Sequence, residues 1–386
     1  MRILHCCLAN FYIDGYGYQE NILPKMHKLQ GHDVKIVAST ETYLDNKKLG
    51  YIQAQTYTNE NGISVTRLPY IKYLPFIFVK KLRIYKGLKQ EIINFKPDII
   101  FLHDTQFISI RTISKYAADN AGVRIYADGH TDFINSARNW VSKNILHKII
   151  YRWCAQRIEP YVQKFYGTLP ARVNFIHEIY RIPKSKIELL EFGADDTSFN
   201  LDTRENTRKN KRKELGVENH FVVITGGKID YRKNIHLLIN VIKNISDRQI
   251  KLIVFGTPDD KMNYLIRDMK EANNVIYLGW QNTTEIYNLL FAADLGFFPG
   301  THSILWEQAC GIGLPCVFKK WDDMQHVQLG GNCIFIEEAS DVTIRNMIMY
   351  LYENKEEYNN MKTIAEQKGI PHFSYYEIAK RAIEIK

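Results

Sequence analysis

The sequence predicts an α/β protein built from two doubly wound, parallel-sheet units, and three observations predict it. The 386 residues exceed one ordinary domain. Short apolar runs alternate with longer runs of helical period, the pattern of strands joined by crossover helices. The alternation starts afresh after a basic, apolar-poor stretch near residue 200.

In the first half, residues 3–8 read as a strand. Residues 20–30 read as a helix with Ile22, Leu23, Met26 and Leu29 on one face, stopped by Gly31. Strands follow at 34–38 and 63–68. Residues 76–95 form one basic amphipathic helix closed by Pro97. Strand 99–102, helix 110–120 and strand 123–127 continue the alternation. Residues 136–165 are helical, with short strands at 172–176 and 187–191.

Residues 200–214 carry six basic side chains and little that is apolar, so they read as an exposed linker running into a short helix. Strands at 221–225, 251–255, 275–278, 295–298 and 315–318 then alternate with helices at 235–245, 261–271, 284–291 and 304–311. The domains are 1–198, 199–370 and a terminal helix, 371–386, crossing back to the first. In open α/β sheets ligands bind outside the carboxyl ends of the strands. Two such units are expected to face each other across a cleft there.

Apolar residues make up 45% and charged residues 24%, ordinary for a soluble protein. Residues 1–10 read as a buried strand and not as a leader peptide. The longest apolar run, 74–79, falls far short of the ~20 residues that span a bilayer. Six cysteines without a Cys-x-x-Cys pair read as buried thiols in a reducing compartment, which makes the chain cytoplasmic. The net charge of +9 points to anionic partners. Residues 61–90 contain no acidic residue and mix aromatics with lysine and arginine. Tyr70, Lys80, Lys81 and Arg83 there are expected to meet an acceptor or an anionic membrane surface, placing the protein peripherally on the inner face.

Three motifs could carry chemistry. Gly15 and Gly17 sit between the first strand and helix, where glycines let a ligand approach the backbone. Glu20 replaces the last glycine of a dinucleotide fingerprint. The second motif, Gly227-Lys228-Ile-Asp-Tyr-Arg232-Lys233, follows a strand and offers cations to a diphosphate. In the third, Pro299-Gly-Thr-His302-Ser303 leads into a helix bearing Glu307. The amides of His302 and Ser303 suit phosphate, and a carboxylate can accept both hydroxyls of a ribose.

The segments GGKIDYRKN, VIYLGWQNTTEIYNLLFAADLGFFPG and WEQACGIGLPCV resemble the family 4 glycosyltransferases, which have the GT-B fold and retain anomeric configuration. GYGYQENILPKMHKLQGHDVKIVAS, PDIIFLHD, IYADGHTDF and LLEFGADDTSF extend the resemblance over nearly the whole chain. It implies that Lys228 and Lys233 hold the donor diphosphate, with Arg232 able to share the task. It implies that Glu307, the second glutamate of the family's E-x7-E motif, holds the ribose. The first glutamate is absent, because Pro299 stands there, and His302 or Asp230 are the candidates to replace it. The backbone at Gly279–Gln281 would read the base, His130 would meet the reacting sugar, and the Gly15–Gly17 loop would close on the phosphates.

The expected activity is transfer of a sugar from a nucleotide diphosphate donor, UDP foremost, to a glycan or polyprenyl-linked acceptor in polysaccharide synthesis. No metal, cofactor or nucleic acid is expected, since no metal-binding pattern or nucleic-acid motif occurs. The rival readings are a nucleotide-sugar epimerase, a phosphorylase, or a non-enzymatic membrane- or nucleic-acid-binding protein.

Overall fold

The computed structural model describes residues 1–44, 48–73, 75–133, 136, 139–245 and 249–384. Parts of three expectations, the apolar run 74–79 at its first residue, the helical region 136–165 at 137–138 and the terminal helix 371–386 at 385–386, lie outside these. The chain divides into two compact units, Met1–Glu191 with Ile378–Lys386, and Phe192–Glu377. The boundaries expected from the sequence, 198/199 and 370/371, each differ from these by seven residues.

The first unit contains β1 (Arg2–Cys7), β2 (Asp33–Ser39), β3 (Glu41–Tyr43), β4 (Leu49–Tyr51), β5 (Thr56–Thr58), β6 (Ser64–Leu68), β7 (Ile99–His103), β8 (Arg124–Gly129), β9 (Val162–Gly167) and β10 (Ile187–Leu189). Eight of them form one sheet in the order β10-β9-β8-β7-β1-β2-β6-β5. It is parallel except for the β5 edge. One face buries Leu4, Cys6, Ile100, Leu102, Ile125 and Ala127. The strand side chains that alternate with these include His5, Phe101 and His103, also fully buried.

The second unit contains β11 (Phe221–Gly226), β12 (Ile250–Phe255), β13 (Val275–Tyr277), β14 (Leu295–Phe298), β15 (Cys316–Lys319) and β16 (Cys333–Ile336), in the order β13-β12-β11-β14-β15-β16, all parallel. Val223, Leu252 and Phe297 face one core, Val222, Ile253 and Phe318 the other. Helices cover both faces, which is why the strands read as continuous apolar runs. All six cysteines are buried and free.

Four local expectations are corrected. The helix expected over 76–95 is two, Phe76–Leu82 and Leu88–Phe95. Tyr85 breaks it: its ring is buried against Tyr70, its hydroxyl donates to the Leu8 carbonyl (2.8 Å), and its backbone bridges to Tyr70. Tyr70 is therefore core, and Arg83 donates to the Gln106 carbonyl (2.9 Å). Lys80 pairs with Glu41 at 3.0 Å, and Lys81 stays exposed. The helix expected to reach residue 165 stops at Pro160, and Val162–Gly167 pairs with β8 as a strand. The strand expected at 172–176 is a helix, Pro170–Tyr180, started by proline at its first position.

The supposed linker holds a docked helix, Arg204–Glu214. Arg208 and Arg212 donate to the carbonyls of Phe291, Ala292 and Ala293, which end the helix Thr283–Ala292. Both also pair with Asp294, which accepts the Val222 N–H (2.8 Å) as well. Arginines that look like solvated linker charge thus cap a helix. Replacing Asp294 by Ala leaves two guanidinium groups and an amide short of an acceptor, and should cost about 2 kcal/mol. Denaturant midpoints of the two chains measure this, and an unchanged midpoint contradicts the docking.

Candidate active site

In the second unit β11 ends at Gly226, and the chain turns at Gly227 with φ +98°. Gly256 ends the neighbouring strand. A Cβ there would lie 1.8 Å from the Gly227 carbonyl oxygen, so only glycine lets the two strand ends meet. The Gly256 N–H donates to the Gly279 carbonyl (2.6 Å), and the Tyr277 hydroxyl to the Gly256 carbonyl (3.0 Å). A pocket of about 440 Å³ opens beside them, lined by Gly227, Lys228, Phe255, Thr257, Gln281 and Leu305 among others. Its size is that of a small-molecule site, and it lies at the carboxyl ends of the strands. A larger cavity of about 810 Å³ touches Arg2, Asp98 and Val123, at the amino ends of the first unit's strands.

Two loops beside the pocket are zipped together. Lys233 Nζ donates to the carbonyls of Thr301 (2.7 Å) and His302 (2.8 Å). Asn234 donates to the Pro299 carbonyl (3.0 Å), and the Thr301 N–H to the Arg232 carbonyl (2.9 Å). Gly300 permits this approach, since a Cβ would lie 2.3 Å from Lys233 backbone. Burial lowers the Lys233 ammonium to about 8. Two of its three N–H bonds hold the loop, which leaves one. Arg232 is pinned to Asp230 at 2.8 Å, while Lys228 lies 4.0 Å from it and is 65% exposed.

Glu307, on the first turn of the helix Leu305–Gly311, has no exposed surface. Its Oε1 accepts from His302 Nε2 and His326 Nε2, each at 2.7 Å. Burial alone would raise its carboxyl, but the two imidazoles outweigh it and hold the group at about 2. Oε2 is buried and has no partner among the described residues. Leaving such an acceptor unmade costs about 1–3 kcal/mol. Ser303 precedes this turn, and its carbonyl accepts the Trp306 N–H (2.9 Å).

In the first unit His130 follows β8, with Nε2 3.1 Å from Asp128 Oδ1. Burial would lower it, but the charges of Asp128 and Glu20 and the bond to Asp128 raise it to about 9. The other Asp128 oxygen accepts from His103 Nδ1 (2.9 Å) and Gln19 Nε2 (3.3 Å). Gln19 opens the helix Gln19–Leu29, which the Gly15–Gly17 loop leads into, and the Gly15 N–H donates to Glu60 (3.1 Å).

The second unit therefore brings together Gly227, Lys228, Arg232, Lys233, Gly279, Gln281, His302, Ser303 and Glu307 around one strand-end region. The first brings Gly15 and Gly17 into the loop ahead of the Asp128–His130 pair. Sequence reasoning missed His326, 19 residues past Glu307 with no local pattern to mark it, and the part played by Asp128. It also found no metal-binding constellation. The structure gathers two trios of ring nitrogens and carboxylate oxygens within 4.8 Å: His103, Asp128 and His130, and His302, Glu307 and His326. In the second, both imidazoles bond to the carboxylate; in the first His103 does, and His130 Nε2 lies 3.1 Å from it.

The His130 value has a consequence for stability. Its folded value, about 9, exceeds the ordinary 6.5. Protonated His130 therefore adds stability in full below pH 6.5 and loses it as pH rises through 9. The gap in denaturant midpoint between the natural chain and His130→Gln should be wide at pH 6 and narrow by pH 10. A constant gap contradicts the assignment.

Residues 206–368 match the model of the glycosyl transferases group 1, a span that includes all six strands of the second sheet. No curated protein matches the chain. Among solved structures it is similar to HepE of Anabaena in complex with UDP, at 15% identity and TM-score 0.65, over 99% of this chain and 98% of that one. It is also similar to a glycosyltransferase from Rickettsia africae, at 14% identity and TM-score 0.69, over 98% and 96%. A third is WaaG, a glycosyltransferase involved in lipopolysaccharide biosynthesis, at 13% identity and TM-score 0.63, over 98% of each chain. The chain has the GT-B fold, and residues 206–368 of its second unit are similar to the glycosyl transferases group 1, the kind of protein its motifs resemble.

Proposed function

We propose that this chain is a retaining glycosyltransferase that uses a nucleotide diphosphate sugar, UDP-linked foremost, and a glycan or polyprenyl-linked acceptor in polysaccharide synthesis. The observation that carries the reading is Glu307: a buried, ionised carboxylate with one unpartnered oxygen, next to a strand-end pocket and a lysine-braced loop. The group 1 match and the UDP complex of HepE support it.

In this reading Glu307 Oε2 accepts the ribose hydroxyls. Lys228, Arg232 and the remaining Lys233 N–H face the diphosphate, whose charge grows as it departs. The acceptor hydroxyl attacks the anomeric carbon on the face the diphosphate leaves, and a departing phosphate oxygen takes its proton. His130 donates a hydrogen bond to the reacting sugar. His302 supports the ribose carboxylate, so the place of the missing first glutamate is filled by an imidazole bound to the second. Neutralisation by lysine and arginine makes the reaction independent of added metal. Retained turnover in EDTA agrees with this, and loss restored by magnesium contradicts it.

The acceptor side is proposed to rest on an anionic membrane surface. Tyr73, Phe76, Ile77 and Phe78 are 88%, 52%, 64% and 60% exposed, with Lys72 and Lys81 beside them in sequence and exposed. No described helix is long and apolar enough to cross a membrane. Flotation with anionic but not neutral vesicles at low salt is the expected result, and a protein that stays below in both contradicts it.

Thermal-shift titration with UDP-, GDP-, dTDP- and CMP-sugars should give the largest stabilisation with a UDP-sugar. Glu307→Gln should weaken UDP about 10–100-fold, the loss of a charge-assisted acceptor. Lys233→Ala should lower transfer about 10²–10³-fold. Wild-type affinity in the first variant, or donor isomerisation without transfer in the natural chain, overturns the proposal.

A further inference from the structure

Three fully buried histidines lie in line beneath His130, and the site reading above leaves them without a task. His27, on the helix Gln19–Leu29, has Nε2 2.9 Å from the Ala379 carbonyl oxygen and Nδ1 3.0 Å from His5 Nε2. His5, on β1, has Nδ1 3.0 Å from His103 Nε2. His103, at the end of β7, has Nδ1 2.9 Å from Asp128 Oδ2. Asp128 Oδ1 is the atom 3.1 Å from His130 Nε2. The row thus runs carbonyl, three imidazoles, carboxylate, imidazole.

Counting protons along this row decides its charge. Four contacts join the three rings to each other and to the two oxygens at the ends, and each hydrogen bond needs one proton. Three neutral imidazoles carry three N–H groups. The carbonyl can only accept, so His27 Nε2 donates. Asp128 is held ionised, below the usual carboxylate range: burial opposes this, but His130 and His103 outweigh it. An ionised carboxylate only accepts, so His103 Nδ1 donates. A fourth proton is then required, because otherwise two lone pairs face each other at 3.0 Å in a dry core.

We propose that His27, His5 and His103 form a proton-holding array, one proton richer than three neutral rings, whose imidazolium rests on His103 and positions the Asp128–His130 pair. The proton rests there because the other two sites reject it. Burial and the neighbouring rings depress His5, and burial depresses His27 to about 4. Only His103 touches a carboxylate. Asp128 then sits between two imidazoles, and the His103 charge offsets part of its pull on His130. The array is thus a positioning device for the sugar-facing histidine, and this last step rests on the proposed function.

The other charged or titratable groups facing this row are Cys7 and Glu20, Asp104 with Arg83 behind it, Asp132 with Arg172, and His32 beside His27. Among the described residues none of them bonds to a ring nitrogen of His5, His27 or His103. The Asp104 N–H donates to Asp128 Oδ1 (3.1 Å) and moves no proton along the row.

Two substitutions at the far end separate the array from simple packing. His27→Gln can still donate to the Ala379 carbonyl and accept from His5, so three bonds remain for two rings and the extra proton stays. His27→Leu removes both bonds, so two protons suffice for two rings and His103 becomes neutral. The test is ¹⁵N NMR of histidine-labelled full-length chain at neutral pH, with the His130 ring followed through its titration. The expected result is a doubly protonated His103 in the natural chain and in His27→Gln, and a singly protonated one in His27→Leu. His130 should then titrate about one pH unit higher in His27→Leu than in His27→Gln. A singly protonated His103 in the natural chain overturns the proposal, and this needs no variant to fold. Equal His130 titrations in the two variants overturn the positioning role. The expected NMR pattern in a protein that transfers no sugar supports the array and counts against the glycosyltransferase reading alone.

Discussion

A carboxylate enclosed in protein must recover what it loses in leaving water. Glu307 does so by accepting two imidazole N–H bonds on a single oxygen. That arrangement keeps the group ionised and leaves the second oxygen without a partner among the described residues. Much of the second unit's strand-end geometry serves it. Gly300 lets the loop bearing His302 lie against Lys233, and Lys233 holds that loop by its carbonyls. Were the loop free, His302 would have no fixed place, and Glu307 would be an acid short of a donor in the core.

The first unit repeats this solution with different residues. Asp128 is also buried and also lies between two imidazoles, His103 and His130. The outcomes differ because of what lies behind each carboxylate. Behind Glu307 is a single ring, His326. Behind Asp128 is a row of rings ending on a backbone carbonyl, so the proton count is set at a distance. Cooperative networks of this sort are costly when one member is missing, which confines substitutions to those that keep donors and acceptors matched.

The parts of the fold legible in the sequence were those written by burial on both faces. The strands β1, β7, β11, β12 and β14 are short apolar runs, all but β1 bounded on one side by glycine or proline, and their expected bounds agree with the structure to within about two residues. What local pattern hid was tertiary. Tyr85 interrupts a helix because its ring and hydroxyl find partners in the core. Arg208 and Arg212 read as linker charge because the helix end they cap is some 80 residues away. In the site, Lys233, His302 and Glu307 were visible as motif positions, and so was His130. Their partners were not. His326, His5 and His27 carry no local signature: His5 lies in an apolar run, where a histidine reads the same whether it pairs or merely packs, and no motif surrounds the other two. The sequence also could not foretell that Lys233 would hold a loop as well as face a ligand.

The central claim is that the unpartnered oxygen of Glu307 is a ribose site. The most direct measurement is a crystal structure of the chain with UDP. Both ribose hydroxyls should lie within hydrogen-bond distance of Glu307 Oε2, with the base against Gly279–Gln281 and the diphosphate toward Lys228 and Lys233. Nucleotide density elsewhere, with Oε2 still unpartnered, would contradict it.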